Sequence, residues 1–237
     1  MDLDRRLDAL APLAEPVRRA LYLHVVEQAA PVGRDAAASA VGISRSLAAF
    51  HLDRLVDAGL LVADYRRLSG RSGPGAGRPA KVYRRADQPV EISLPERRYE
   101  LAASLMAQAV GGGSAGRRRA DRLSDAAHAY GTGLGAEARR RAGPRASRAR
   151  LLAAAVDVLR LTGFEPAAGE AGAAIVLRNC PFDGLVRDHR DVVCGMNLSL
   201  MEGVVTGLRI HGIEAELDPQ PGRCCVTWRT TELIAGA

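Results

Sequence analysis

The sequence predicts an α+β chain in three successive parts, and three observations carry that expectation. Residues 35–59 read as helix, glycine turn, helix; residues 60–85 read as a hairpin rich in glycine and arginine; after residue 148, strand-like and helix-like periodicities alternate. The boundaries that follow are 1–90 for an N-terminal domain, 91–147 for a helical linker or dimerisation region, and 148–237 for a small α+β domain with an antiparallel sheet. At 237 residues and 47% hydrophobic content the chain is long enough for two separate cores.

Leu3, Leu7 and Leu10 place a short amphipathic helix before Ala11-Pro12. A second helix opens at Glu15-Pro16, with proline at the first helical position, and runs to about Ala29 with Val17, Ala20, Leu21, His24 and Val25 on one face. Pro31 ends it. Asp35 caps a helix over 36–41, Gly42 permits the positive φ of a tight turn, and Ser44 caps a helix that closes at Gly59. In that last helix Ala48, Leu52, Leu55 and Val56 form the inward stripe, leaving Arg45, Ser46, Ala49, Phe50 and Asp53 outward. An outward Phe50 suits contact with a thymine methyl or sugar, or packing on a neighbour. LLVADYRR and KVYRR are the strands of the hairpin, joined by SGRSGPGAGRPA. From 66 to 85 there are seven basic residues and no acidic one.

This is the pattern of a winged helix-turn-helix, whose second helix enters the major groove and whose hairpin lies along phosphates or in the minor groove. The candidate contacts to double-stranded DNA are Ser44, Arg45, Ser46, Ala49, Phe50 and Arg54 from the helix, and Arg66, Arg67, Arg71, Arg78 and Lys81 from the hairpin. Charge agrees. The net charge is +6 with a pI near 9.6, and it divides as +4 over 1–87, +6 over 88–150 and −4 over 151–237. A single lysine beside 32 arginines also suggests coding bias as a source of basicity. With no apolar run of membrane length and no secretory start, the expected location is the cytoplasm, with no membrane partner.

Residues 95–110 predict a helix with Tyr99, Leu101, Leu105, Met106 and Val110 along one side; GGGSAG breaks it, and a helix over roughly 117–141 follows. These helices suit homodimer contacts or packing on the second domain. Residues 148–161 are helical, Gly163 stops them, FEPAAG and AAIVLRN are strands, 191–208 is a helix, and IEAELD and CCVTWR are two further strands around PQPG. No phosphate-binding glycine fingerprint or nucleophile elbow occurs, and His24, His51 and His128 lack a matching nucleophile, so no enzyme is expected.

All four cysteines fall in the last quarter. Cys180 sits at a strand end before Pro181, and Cys194 sits early in the next helix, with Asp188 or Asp191 as cap and its thiolate favoured by the helix end. Cys224 and Cys225 open the last strand, Cys224 facing inward with Val226 and Trp228. Three such thiolates can meet at one sheet edge and hold zinc or an iron-sulfur cluster, with His189, Cys225 or an external group as fourth ligand. Buried cysteines also serve as small hydrophobes. A nucleophilic Cys194 with His189 as base is disfavoured, because five residues along a helix set them about 140° apart.

Together "LAEPVRRALYLHV", "SRSLAAFHLDRLVDAGLLVADYRR", "GRPAKVYR", "NCPFDGLVRDHRDVVCGMNLSLMEGVVTGL" and "LDPQPGRCCV" resemble the SufR-like branch of the ArsR-type winged helix-turn-helix transcriptional regulators. The resemblance implies a homodimeric DNA-binding repressor of iron-sulfur assembly genes, with a 4Fe-4S cluster whose state sets DNA affinity. Cys180, Cys194 and either Cys224 or Cys225 match the ligand positions, and His189 matches the histidine ahead of the second cysteine. The chain departs from the four-cysteine pattern by its adjacent late pair. The alternative is a winged-helix regulator that responds to zinc, thiol oxidation or a small organic effector.

Overall fold

The computed structural model describes residues 7, 8, 10–67, 79–112, 118–169 and 173–231. They form two compact units, Met1–Ile92 and Ser93–Ala237. Among the described residues there are seven α-helices and two antiparallel sheets, a mixed α+β chain.

In the first unit, a 3-10 turn at Ala11–Ala14 leads into α1, Pro16–Glu27. The Glu15 carboxylate caps α1 by accepting from the backbone of Val17 (3.0 Å) and Arg18 (2.7 Å). Those two bonds hold the Glu15 carboxyl below its usual range. Helix α2 covers Arg34–Val41 and α3 covers Arg45–Asp57. Between them Gly42 adopts φ 71°, and Ser44 Oγ accepts from Leu47 N at 3.2 Å, as the turn and cap signals predict.

Asp35 does not cap α2. Gly33 occupies that position without a side-chain bond, because Val32–Gly33 is a short strand, β1, that passes straight into the helix. Strands β2, Leu61–Arg66, and β3, Ala80–Arg85, pair antiparallel from Leu61↔Arg85 to Arg66↔Ala80, and the sheet order is β1-β3-β2. Leu21, Val25, Ala37, Ala48, Leu52, Leu55, Leu61 and Tyr83 form the core, so the inward stripe of α3 is as expected, with Val56 half-buried at its margin.

The second unit contains α4 (Tyr99–Gly111), α5 (Arg119–Ala142), α6 (Arg148–Leu161), β4 (Pro166–Ala168), β5 (Ala173–Leu177), α7 (Asp183–Leu208), β6 (Ile213–Leu217) and β7 (Val226–Thr230). Its sheet has the order β4-β5-β7-β6, antiparallel throughout. Helices α4 and α5, from the stretch assigned to a linker, share one core with Phe164, Phe182, Val193 and Trp228. Helix α4 buries Ala102, Leu105 and Ala109 and leaves Tyr99 and Val110 exposed, which corrects the predicted stripe. Burial follows the 102, 105, 109 spacing, and two of those three are alanines that an apolar count overlooks.

Helices α5 and α7 touch through glycine. A Cβ on Gly131 would overlap the Leu200 carbonyl, one on Gly135 that of Val204, one on Gly203 that of His128 and one on Gly207 that of Thr132. These contacts climb both helices together, so the two run parallel at the crossing. Helix α7 begins at Asp183 but is broken at His189 (φ −134°, ψ 40°), so its second part starts beside the predicted residue 191 and a further short turn of helix precedes it. The turn after Cys180, closed by Asp183 N donating to the Cys180 carbonyl at 3.1 Å, feeds directly into it.

Candidate functional site

Two groups of side chains carry chemistry, one in each unit. In the first, α3 leaves Arg45, Ser46, Phe50 and Arg54 on the surface, with Ala49 half-buried among them. Ser44 is spent on the helix cap and also contacts Ser46 Oγ at 3.1 Å. Phe50 is 54% exposed, the Arg54 guanidinium lies 5.6 Å from its ring centre, and its edge meets the buried His51. A large aromatic face held up to solvent under a cation is poorly used by folding alone. His51 itself lies 3.7 Å from the Glu15 carboxylate and is part of the packing of α3 on α1.

Three of the hairpin cations are partnered. Arg66 pairs with Asp64, Arg84 with Asp87 and Lys81 with Asp53, while Arg67 is exposed at the end of β2. Arg71 and Arg78 lie outside the described residues. Lys81, expected on the DNA side, instead donates to Asp53 Oδ1 at 2.7 Å. The run from 66 to 85 is free of acids in sequence, but Asp53, Asp64 and Asp87 reach it in space. A cleft of about 910 Å³ lies between the ends of α1, α2 and α3 and the loop end of the β2–β3 hairpin, lined by Arg34, Arg45, Lys81, Asp35, Tyr65 and His24 among others.

In the second unit the four cysteines meet. Cys180 follows β5 by three residues, Cys194 is on α7, and Cys224-Cys225 immediately precede β7; Cys194 and Cys224 are buried, the other two half-buried. Two backbone bonds continue the ladder past the strand, Cys224 N to the Leu177 carbonyl and Asp218 N to the Cys225 carbonyl, both 2.8 Å. The inward turn of Cys224 expected from strand alternation is therefore present. The loop of Cys180 is clamped as well: Arg97 Nη1 donates to the Cys180 carbonyl at 3.0 Å, and Asn179 Nδ2 donates to the carbonyls of Glu96 and Gly163.

The thiols shift one another's titration in opposite directions. Cys180 is lowered from its ordinary value, first because Cys224 donates to it. Cys225 is lowered to about 6 by the bond from Cys224, against burial, with further bonds from Cys194 and Asn197. The donors move the other way. Burial first, then the neighbouring Cys225, pushes Cys194 up to about 12, and the neighbouring Cys180 and Cys225, with burial, raise Cys224. The expectation of a favoured thiolate at Cys194 is thus corrected: Cys194 follows the break at His189 by five residues, close to the helix start expected for it, but burial and its interaction with Cys225 outweigh any helix-end effect, and Phe182 rather than Asp188 or Asp191 is the N-cap of α7.

Asn197, three residues after Cys194, is fully buried; its Nδ2 donates to Cys224 Sγ at 3.0 Å and its Oδ1 has no hydrogen-bond partner. Sequence reasoning passed over it, although the i, i+3 spacing puts it on the face of Cys194. His189 is exposed at the kink, and the leading interactions of the thiols are with each other rather than with it.

Four soft donors with an amide donating to sulfur suit a thiolate-bound metal group in kind. Among the described residues, however, no three His, Cys, Asp or Glu side chains are disposed around one ion. The donors fit such a group by their chemistry, and they take their present partners from one another.

In metal-free, reduced protein, Cys225 is expected to alkylate first. A pKa about three units below the ordinary thiol raises its thiolate fraction at pH 7 about ninetyfold, and lower nucleophilicity takes back about twentyfold, leaving a rate about four times that of free cysteine. Mass spectrometry after iodoacetamide labelling between pH 5 and 9 checks this, with a midpoint near 6 expected and Cys194 unlabelled. The linkage has opposite signs for the pair. The depressed Cys225 stabilises the fold above pH 9 and loses that contribution as pH falls through about 6, whereas that of Cys194 is present below 9 and is lost as pH rises toward 12.

No helix among the described residues is long and apolar enough to cross a membrane. No family model, curated protein or solved structure matches the chain.

Proposed function

We propose that the chain is a homodimeric, cytoplasmic DNA-binding transcriptional regulator, a repressor, whose second unit senses through its four thiols. What supports this best is the first unit: α2, the Gly42 turn and α3 stand beside a charged β2–β3 hairpin, with Arg45, Ser46, Phe50 and Arg54 exposed on α3. A winged helix-turn-helix uses those two elements to read double-stranded DNA, the helix in the major groove and the hairpin on the backbone. Arg45 and Ser46, at the start of α3, are the base readers in this proposal, and Arg54, Arg66 and Arg67 neutralise phosphates.

For the sensor, Cys180, Cys194, Cys224 and Cys225 would hold an iron-sulfur cluster of the 4Fe-4S type, without His189. Bound there, such a group supplies a centre that oxygen and redox state can alter. The protein's own part is to bring three chain segments together, exclude water from Cys194 and Cys224, and donate to sulfur from Asn197. Sensing further requires that the two sensor states differ in their preference for the DNA-binding conformation. A second reading, a thiol switch, is favoured by the mutual coupling of the thiols, Cys224 with Cys180 and with Cys225 and Cys194 with Cys225. In that case two thiols lose two protons and two electrons to a peroxide and form one disulfide.

The test is to purify the protein without oxygen, measure iron, sulfide and zinc, and follow binding to a duplex selected from a random pool. The expected result is about four iron and four sulfide per chain, with duplex affinity that changes when they are stripped. Zinc alone would overturn the cluster. A protein without metal whose affinity shifts as peroxide removes two thiols would establish the second reading, and a protein that selects no duplex in any state would end the regulator proposal.

A further inference from the structure

This inference rests on the DNA-binding proposal and deepens it. Arg34, Arg45 and Lys81 line one cleft between the helices and the loop end of the hairpin, but they are not equally available. Asp53 accepts from Lys81 Nζ (2.7 Å) and Tyr83 Oη (2.7 Å) on one carboxylate oxygen and from Arg34 Nη2 (3.0 Å) on the other. Arg34 Nε also donates to Tyr83 Oη at 2.9 Å, and both cations lie over the Tyr83 ring. Tyr83 is fully buried, so the network ties α3 to the start of α2 and to β3 around a fixed post.

We propose that Asp53 is a specificity-determining residue of the DNA-binding face: it withholds Arg34 and Lys81 from phosphate and braces β3 of the hairpin against α3. The contrast with the third cation carries the argument. Arg45 pairs with Asp35, but those side chains are 67% and 77% exposed, and an ion pair so open exchanges its partner at little cost. The Arg34 and Lys81 side chains are only 27% and 22% exposed, and each is held by a carboxylate that has other donors to satisfy. Burial of Asp53 favours protonation, but the bonds from Lys81 and Tyr83 and the charges of Lys81 and Arg34 outweigh it, so the anion persists. Charge withheld from phosphate lowers affinity for every sequence alike, and the contacts left to Arg45 and Ser46 then decide more of the binding.

The experiment measures binding to a selected duplex and to a random-sequence duplex by fluorescence anisotropy from 50 to 200 mM salt, for the wild type, Asp53→Asn and Lys81→Met. Asp53→Asn is expected to bind the random duplex about tenfold tighter, with a slope of log K against log salt steeper by about 0.9 for each cation released, and to discriminate between duplexes about tenfold less. Lys81→Met is expected to leave the slope unchanged. An unchanged slope in Asp53→Asn, or a slope shallower by about 0.9 or more in Lys81→Met, overturns the inference while the wild type still binds. If Asp53→Asn does not fold, as far-UV circular dichroism would show, Lys81→Met decides alone. A wild type that binds neither duplex removes the functional proposal and this inference with it.

Discussion

Gly135→Ala and Gly203→Ala are each expected to destabilise the Ser93–Ala237 unit by about 3 kcal/mol or more, whereas Gly133→Ala, two residues away on the same helix, is expected to stabilise it by about 0.8–1 kcal/mol. The three positions share a helix-breaking residue and differ in what lies beyond it. A methyl on Gly135 or Gly203 would overlap a backbone carbonyl of the opposite helix, the Val204 or His128 oxygen, and backbone has no rotamer by which to yield. The helices must separate along their whole contact, which also loosens Leu200 and Val204 in the core. A methyl on Gly133 would meet nothing within 4 Å, so only the helix-propensity gain remains. Trp228 is the chain's one tryptophan, fully buried in this unit, so its fluorescence during denaturation reports the unit without interference from the first. Equal denaturation midpoints for Gly133→Ala and Gly135→Ala would refute the glycine contact.

That contact shows where the chain is legible and where it is not. Pro16, Gly42, Ser44 and Gly163 act on their own neighbours, through a fixed φ, a left-handed turn or a cap, and the helix boundaries they predict agree with the structure to within a few residues. The glycines of α5 and α7 gain meaning only when two helices are laid together, and no local pattern says which helix pairs with which. Asp53 is similar: on a helical wheel it is an outward acid, and its role depends on residues 34, 81 and 83, which only the folded sheet brings near. At the thiol site, the meeting of strand end, helix and strand start was open to inference from the elements alone. The titration order was not, because it depends on depth: Cys194 stands soon after the break at His189, near the expected helix start, and burial with the neighbouring Cys225 decides its titration instead.

Raising salt from 50 to 200 mM is expected to weaken duplex binding about a thousandfold. In the proposed dimer three phosphate contacts per subunit, from Arg54, Arg66 and Arg67, give six in all and a slope near −5.4, which over a fourfold rise in salt is slightly more than three decades. The internal ion pairs do not cancel this. Arg66 and Asp64 are each 55% exposed, and a pair of that kind contributes about 0–1 kcal/mol, so phosphate replaces the carboxylate at small cost. Arg54 has a different competitor, the face of Phe50, which leaves the guanidinium edge open to hydrogen bonds even while its plane is stacked. Replacing Arg66 and Arg67 by alanine is expected to flatten the slope by about 3.6 across the dimer while the relative preference among sequences stays, because phosphates carry register and not base identity. A wild-type slope shallower than about −2 would mean that the exposed cations do not meet a polyanion, and Phe50 with Arg54 would then have to be explained by a protein partner.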